Sequence, residues 1–196
     1  MIVYTNFFIV IVLSILLYLY IDSKRSDLIY VKSKLDNHNY LVRNLPDRHK
    51  SANLLSKCKL RISKLINYLQ INFGNDPRVK RLIAKYNPSN ISETNKGNKY
   101  TSYSVNKGEK IVLCLRSRDN FEKLIDINTL MFVSIHELGH IMTLSIGHTK
   151  EFWDNFKFLL KKSVIINIYK EINYSKYPKK YCGIEVTDSP LFNINI

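Results

Sequence analysis

The sequence predicts an α+β fold: an N-terminal transmembrane helix, then a mainly helical domain with a small β-hairpin or sheet just before a metal-binding helix. Three observations carry this. Residues 2–21 are uncharged and almost wholly apolar. Helical spacing of apolar residues recurs after residue 47. Two β-prone runs flank Asn106-Lys107-Gly108, shortly ahead of the stretch SIHELGHIM. A chain of 196 residues is long enough for one compact domain plus an appendage, and its apolar fraction of 45% suffices for a buried core. The net charge of +14 favours anionic partners. The lysines are spread along the chain and alternate with apolar residues, as on solvated helix faces, so a nucleic-acid partner is not favoured.

The expected order begins with an anchor at residues 1–21. IVYTNFFIVIVLSILLYLYI spans roughly 30 Å as a helix, the thickness of a bilayer's hydrocarbon core. It lacks the basic start and small-residue cleavage site of a signal peptide. Tyr4, Tyr18 and Tyr20 lie near its ends, and Lys24 and Arg25 follow it. By the positive-inside rule these features predict a single-pass membrane protein with its C-terminal domain on the cytosolic side and the lipid bilayer as a partner of residues 2–21. Residues 22–46 are polar and read as a juxtamembrane linker or weak helix.

Residues 47–196 make up the expected domain, with a helical subregion at 47–97. Leu55, Cys58, Ile62, Leu65, Ile66 and Leu69 fall at helical intervals over residues 47–73, and Gly74 ends that helix. Asp76 then caps a short helix with Pro77 at its first position. Residues 87–98 read as a loop. Residues 100–115 form the hairpin, and Ile111 to Leu115 is apolar enough for a buried strand that offers a peptide substrate an edge to pair with. Helices follow over about 128–144 and 150–168, with a break at Gly147. The tail YPKKYCGIEVTDSP is irregular, broken by Pro178, Gly183 and Pro190. Cys58, Cys114 and Cys182 are odd in number and far apart. They suggest buried thiols in a reducing compartment, with no disulfide framework.

His136 and His140, four residues apart, project from one helix face and can reach a single metal ion. Glu137 stands beside that ion as general base for a metal-bound water, the arrangement of zinc-dependent hydrolysis. The opposite face, Met131, Ile135, Leu138 and Met142, is a core stripe. A hydrolytic zinc site takes three protein ligands and keeps one position open. His148 supplies the third if the left-handed turn open to Gly147 folds it back. Glu151, Glu171 and, more remotely, Cys182 are the alternatives. Gly139 either lets a neighbour approach closely or is neutral. Tyr177 or Tyr181 is a candidate donor to a developing oxyanion.

HELGH, the following Gly-His and Phe152-Trp153 resemble the WLM and SprT-like zinc metallopeptidases. SYSVNKGEKIVLCLR and YCGIEVTDSP are similar to predicted membrane-anchored metallopeptidases of large DNA viruses. The resemblance spans about half of the chain. It implies a zincin-like metallopeptidase domain, His136, His140 and His148 as ligands of Zn2+, Glu137 as the catalytic acid/base, and a protein or peptide substrate. Here eight residues separate the second and third histidines, against six in the usual WLM pattern, and Thr143 replaces the metzincin glycine. The expected function is therefore a membrane-anchored zinc metallopeptidase. The alternatives are a non-catalytic membrane-anchored metal scaffold and a basic nucleic-acid-binding protein.

Overall fold

The computed structural model describes the backbone of residues 2–25 and 27–192, and the side chains of residues 7–20 and 27–192. The elements run α1 (Ile2–Arg25), β1 (Leu28–Lys32), β2 (Asn39–Arg43), α2 (Arg48–Phe73), α3 (Pro77–Lys85), β3 (Ile91–Glu93), β4 (Tyr103–Val105), β5 (Lys110–Leu113), α4 (Ile127–Met142), α5 (Lys150–Ile165), β6 (Lys179–Tyr181) and β7 (Ile184–Val186). The result is a mixed α and β architecture of helices and small sheets.

The first correction concerns the N-terminus. Among the described residues, no helix is long and apolar enough to cross a membrane. The expected anchor included the side chains of residues 2–6 and 21, which lie outside the described ones. The transmembrane helix is therefore withdrawn from the fold, and with it the single-pass placement, the cytosolic orientation and the bilayer contact through residues 2–21.

The second correction follows at once. Residues 22–46, expected as a linker or weak helix, contain the antiparallel β1–β2 hairpin, paired from Leu28↔Arg43 to Lys32↔Asn39. Val31, Tyr40 and Val42 are buried against the main core. Their alternation with exposed Tyr30 and Lys32 is the period-2 pattern of a one-sided sheet.

The helices follow their sequence signals. Helix α2 buries Leu55, Cys58, Ile62, Leu65 and Leu69. Asp76 caps α3 by accepting from the Arg78 amide, with Pro77 in the first turn. Asp126 caps α4 by accepting from both the amide and the hydroxyl of Thr129, at 2.9 and 2.8 Å. Helix α4 is the spine of the core, with Leu130, Met131, Ile135, Leu138, Ile141 and Met142 all fully buried. It ends at Met142, before Gly147, because Thr143 turns the chain extended.

Beside α4 lies a three-stranded sheet in the order β3-β5-β4. Strand β3 forms within the expected 87–98 loop and pairs parallel with β5, whereas β4 pairs antiparallel. Strand β5 is thus interior, with both edges occupied, and cannot offer an edge to a substrate. The free edge belongs to β4. A buried guanidinium locks the far end of the sheet: Arg116 donates to Glu93 at 3.0 Å, to Asp47 at 2.7 Å and to the Ser51 hydroxyl at 2.6 Å.

The tail is also ordered. Strands β6 and β7 form an antiparallel hairpin closed by Cys182 and Gly183, both left-handed at φ 50° and 85°. That conformation matches the twist of a two-residue hairpin. A disulfide joins Cys182 to Cys114, just past β5. The expectation of three reduced thiols therefore holds only for buried Cys58. Two cysteines 68 residues apart carry no pairing signal in sequence; the folded sheet brings them together.

Candidate metal centre

Helix α4 places His136 and His140 one turn apart, with their Nε2 atoms 3.1 Å from each other. The loop at 143–149 brings His148 back, its Nε2 also 3.1 Å from that of His136. Gly147, at φ 84°, makes the turn immediately before His148; a β-carbon there would be strained by its backbone, though nothing crowds it. The donor atoms of all three imidazoles lie within 4.8 Å of one another. Nitrogens bound tetrahedrally at about 2.0–2.1 Å from zinc sit roughly 3.3 Å apart, so the set fits such an ion.

The surroundings favour the ligand form of these rings. Burial, together with the mutual repulsion of the three imidazoles, lowers His136 to about 3. Burial, then His148 and Lys107, lowers His140 to about 4. Both rings are therefore neutral at pH 7, as metal ligands must be. The Phe152 ring stacks on His140 at 4.3 Å between centroids and meets His136 edge-on at 4.8 Å. Gly139 admits that ring: a β-carbon at residue 139 would lie 3.1 Å from Phe152 Cε2. Trp153 flanks His148 at 5.7 Å. The aromatic pair on α5 is thus the apolar backing of the histidines.

Glu137 is buried next to them, and burial raises its carboxyl to about 7, against a smaller lowering by the Ser104 amide, which donates to it. Ser104 lies on β4, so the edge strand and the carboxylate are in direct contact. Both line a cleft of about 650 Å³ that also holds the three histidines, Phe132, Ile146 and Val186.

The alternative ligands lie elsewhere in function or in space. Glu151 accepts from the amides of Leu144 and Ser145. Cys182 is tied in the disulfide, and Glu171 is exposed on the segment after α5. Of the two oxyanion candidates, only Tyr181 lines the cleft, and its hydroxyl is already engaged. Tyr181 is buried, its hydroxyl donating to the Cys114 carbonyl at 2.9 Å and bonded to the Ser102 hydroxyl at 2.6 Å. Tyr177 is 71% exposed and does not line the cleft. Sequence reasoning missed the β4 edge with Ser104, and the β6–β7 hairpin, whose Ile184, Glu185 and Val186 also line the cleft. The Cys-Gly pair between residues 181 and 184 was the available signal for that hairpin.

The WLM domain model matches residues 85–190, a little more than half of the chain. An uncharacterized protein of Acanthamoeba polyphaga mimivirus is 39% identical over 171 residues, covering 85% of this chain and 86% of its own length. An uncharacterized protein of Invertebrate iridescent virus 6 is 33% identical over 82 residues, 41% of this chain and 44% of that protein. Among solved structures, Wss1 from Saccharomyces cerevisiae is 25% identical, with a TM-score of 0.49 over 64% of this chain and 87% of that one. The chain belongs to the WLM domain family, a metallopeptidase-type family.

Proposed function

We propose that this protein is a zinc-dependent peptidase acting through His136, His140 and His148 as metal ligands and Glu137 as acid/base. The observation that carries the reading is a buried carboxylate set beside three converging imidazoles, at the floor of an open cleft. Zinc bound there supplies a Lewis acid and brings the pKa of its water near 7. The protein does the rest. Near pH 7 Glu137 is poised to take the proton of the attacking water and return it to the leaving amine nitrogen. The Ser104 amide orients that carboxylate, and the outer edge of β4 is available to pair with an extended peptide beside it. Apolar Phe132, Ile146 and Val186 suit the burial of substrate side chains in the cleft.

The test is zinc content together with cleavage of an unfolded protein such as reduced casein, for the wild type and Glu137→Gln. The expected result is stoichiometric zinc in both and a loss of turnover by at least a hundredfold in the variant, the usual scale of general acid–base catalysis. Equal cleavage by both proteins would refute the assignment of Glu137. A purely structural metal scaffold has no use for a carboxylate at this position, and it predicts zinc without turnover even in the wild type.

A further inference from the structure

Two of the three histidines are fixed by a helix; the third depends on a loop. The first half of that loop is gripped from both sides by opposite charges. On the carbonyl side, Lys107 Nζ donates to the oxygens of Thr143 at 3.0 Å, Leu144 at 2.7 Å and Ser145 at 3.2 Å. An ammonium group has three N–H donors, and all three are used. On the amide side, the Glu151 carboxylate accepts from the Leu144 amide at 2.9 Å and the Ser145 amide at 3.1 Å. It also accepts from the Ser145 hydroxyl at 2.8 Å.

A lysine facing the negative end of a helix dipole is common. Lys107 goes further, reaching past the last helical residue to three successive carbonyls from a turn 36–38 residues upstream. That turn is itself wedged in place. Lys107 is left-handed at φ 50°, and a β-carbon at Gly108 would lie 2.5 Å from the Lys85 carbonyl oxygen and 3.1 Å from Ile141 Cγ2. From the same turn β4 leads back to Ser104 and its contact with Glu137.

We propose that Lys107 and Glu151 are positioning residues for His148, a pair of opposite charges that holds residues 144–145 and so sets where the third imidazole enters the metal site. The proposal rests on the three-histidine reading of the site. Without the clamp, the loop must be ordered when the metal binds, and the lost conformational freedom is charged to affinity. Neither residue belongs to the three-histidine group or lines the cleft.

The experiment uses the full chain as Lys107→Ala, Glu151→Ala, Lys107→Arg and Glu151→Gln, with Lys161→Ala on the exposed face of α5 as control. Zinc affinity is read by chelator competition, the cobalt(II) absorption reports how many histidines bind, and metal-free melting monitors the fold. Both alanine variants should lose zinc affinity on the order of tenfold or more, with weaker cobalt absorption. The arginine and glutamine variants, which keep a donor or an acceptor, should recover part of it. Unchanged zinc affinity in the alanine variants, with only a lower melting temperature, would overturn the proposal. If an alanine variant does not fold, the arginine and glutamine variants decide by the same readout. Because the measurement is of metal binding, a loss in the variants supports the clamp whether or not the wild type cleaves peptides. Failure of the peptidase reading is thus seen separately, in the Glu137 experiment.

Discussion

Helix α4 and the loop at 143–149 deliver ligands to the same point by opposite means. On α4, periodicity does the work: four residues of spacing put two rings on one face, and a fully buried stripe on the other face fixes the helix against the core. In the loop, no local rule places His148. Its position comes from Gly147, from Lys107 on another hairpin and from Glu151 on the next helix. A ligand on a helix is encoded where it stands, whereas a ligand on a loop is encoded by whatever holds the loop.

The largest effect that sharpens this contrast is loss of a ligand. Structural zinc binding is worth roughly 10–16 kcal/mol shared over the ligand set, so removing any one histidine should weaken binding on the order of a thousandfold. His136→Ala, His140→Ala and His148→Ala should behave alike in zinc affinity. They should differ in the metal-free protein. The His136 ring packs against Phe152 and Phe156, while the His148 ring is exposed, so only the former substitution should lower the melting temperature appreciably. Wild-type zinc affinity in His148→Ala would break the comparison, since the loop would then deliver no ligand.

Next in size is the disulfide that ties the β6–β7 hairpin to the end of β5. A disulfide closing a 68-residue separation stabilises by about 4 kcal/mol on the chain-entropy account. Reduction, or Cys114→Ser with Cys182→Ser, should lower the melting temperature and loosen the β6–β7 hairpin. Zinc affinity should change little, because α4 touches the disulfide cluster only through Val133 and is held by its own fully buried stripe. A large loss of zinc on mild reduction would show that the hairpin and the metal site are coupled after all.

The glycines give a smaller and cleaner contrast. Gly139→Val should cost about 1–3 kcal/mol from overpacking against Phe152, which is fully buried beneath the histidines and has nowhere to retreat. Gly147→Ala meets no neighbour and should cost about 1 kcal/mol of backbone strain alone. Chemical denaturation measures both, and a cost at Gly147 exceeding that at Gly139 would reverse the argument.

These contrasts also explain what the sequence shows and what it hides. HELGH, the Asp76-Pro77 start and the hairpin around Asn106-Lys107-Gly108 are local signals, and the elements stand where those signals lie. Strand β3 is three residues long and exists only by pairing with β5, so nothing within residues 87–98 announces it. The β1–β2 hairpin hid behind its polar outer face. The disulfide, the β4 edge and the Lys107–Glu151 grip each join residues that only the tertiary fold makes neighbours. The anchor reading failed for a different reason: it rested on the apolar composition of 20 residues, whereas among the described residues no helix is long and apolar enough to cross a membrane.

The remaining effect is a balance of opposed titrations in the metal-free protein. His136 and His140 are lowered from 6.5 to about 3 and about 4, so their contribution to stability is complete above pH 6.5 and is lost as the pH falls towards the folded values. Glu137 is raised from 4.5 to about 7, so its contribution is complete below pH 4.5 and is lost as the pH rises through about 7. Between about pH 5 and 6.5 the unfolded chain holds nearly two imidazole protons at the lower end and about one at the upper end that the folded chain lacks, against at most one carboxyl proton held only in the folded state. Stability should therefore rise with pH across this window, since the unfolded state binds the greater number of protons. Glu137→Gln removes the opposing member and should steepen the rise, a difference that melting curves at several pH values in chelator would read. A flat or falling profile in that variant would mean that the two imidazoles are not held neutral by burial, and that α4 does not prepare its histidines for a metal as the buried face of the helix implies.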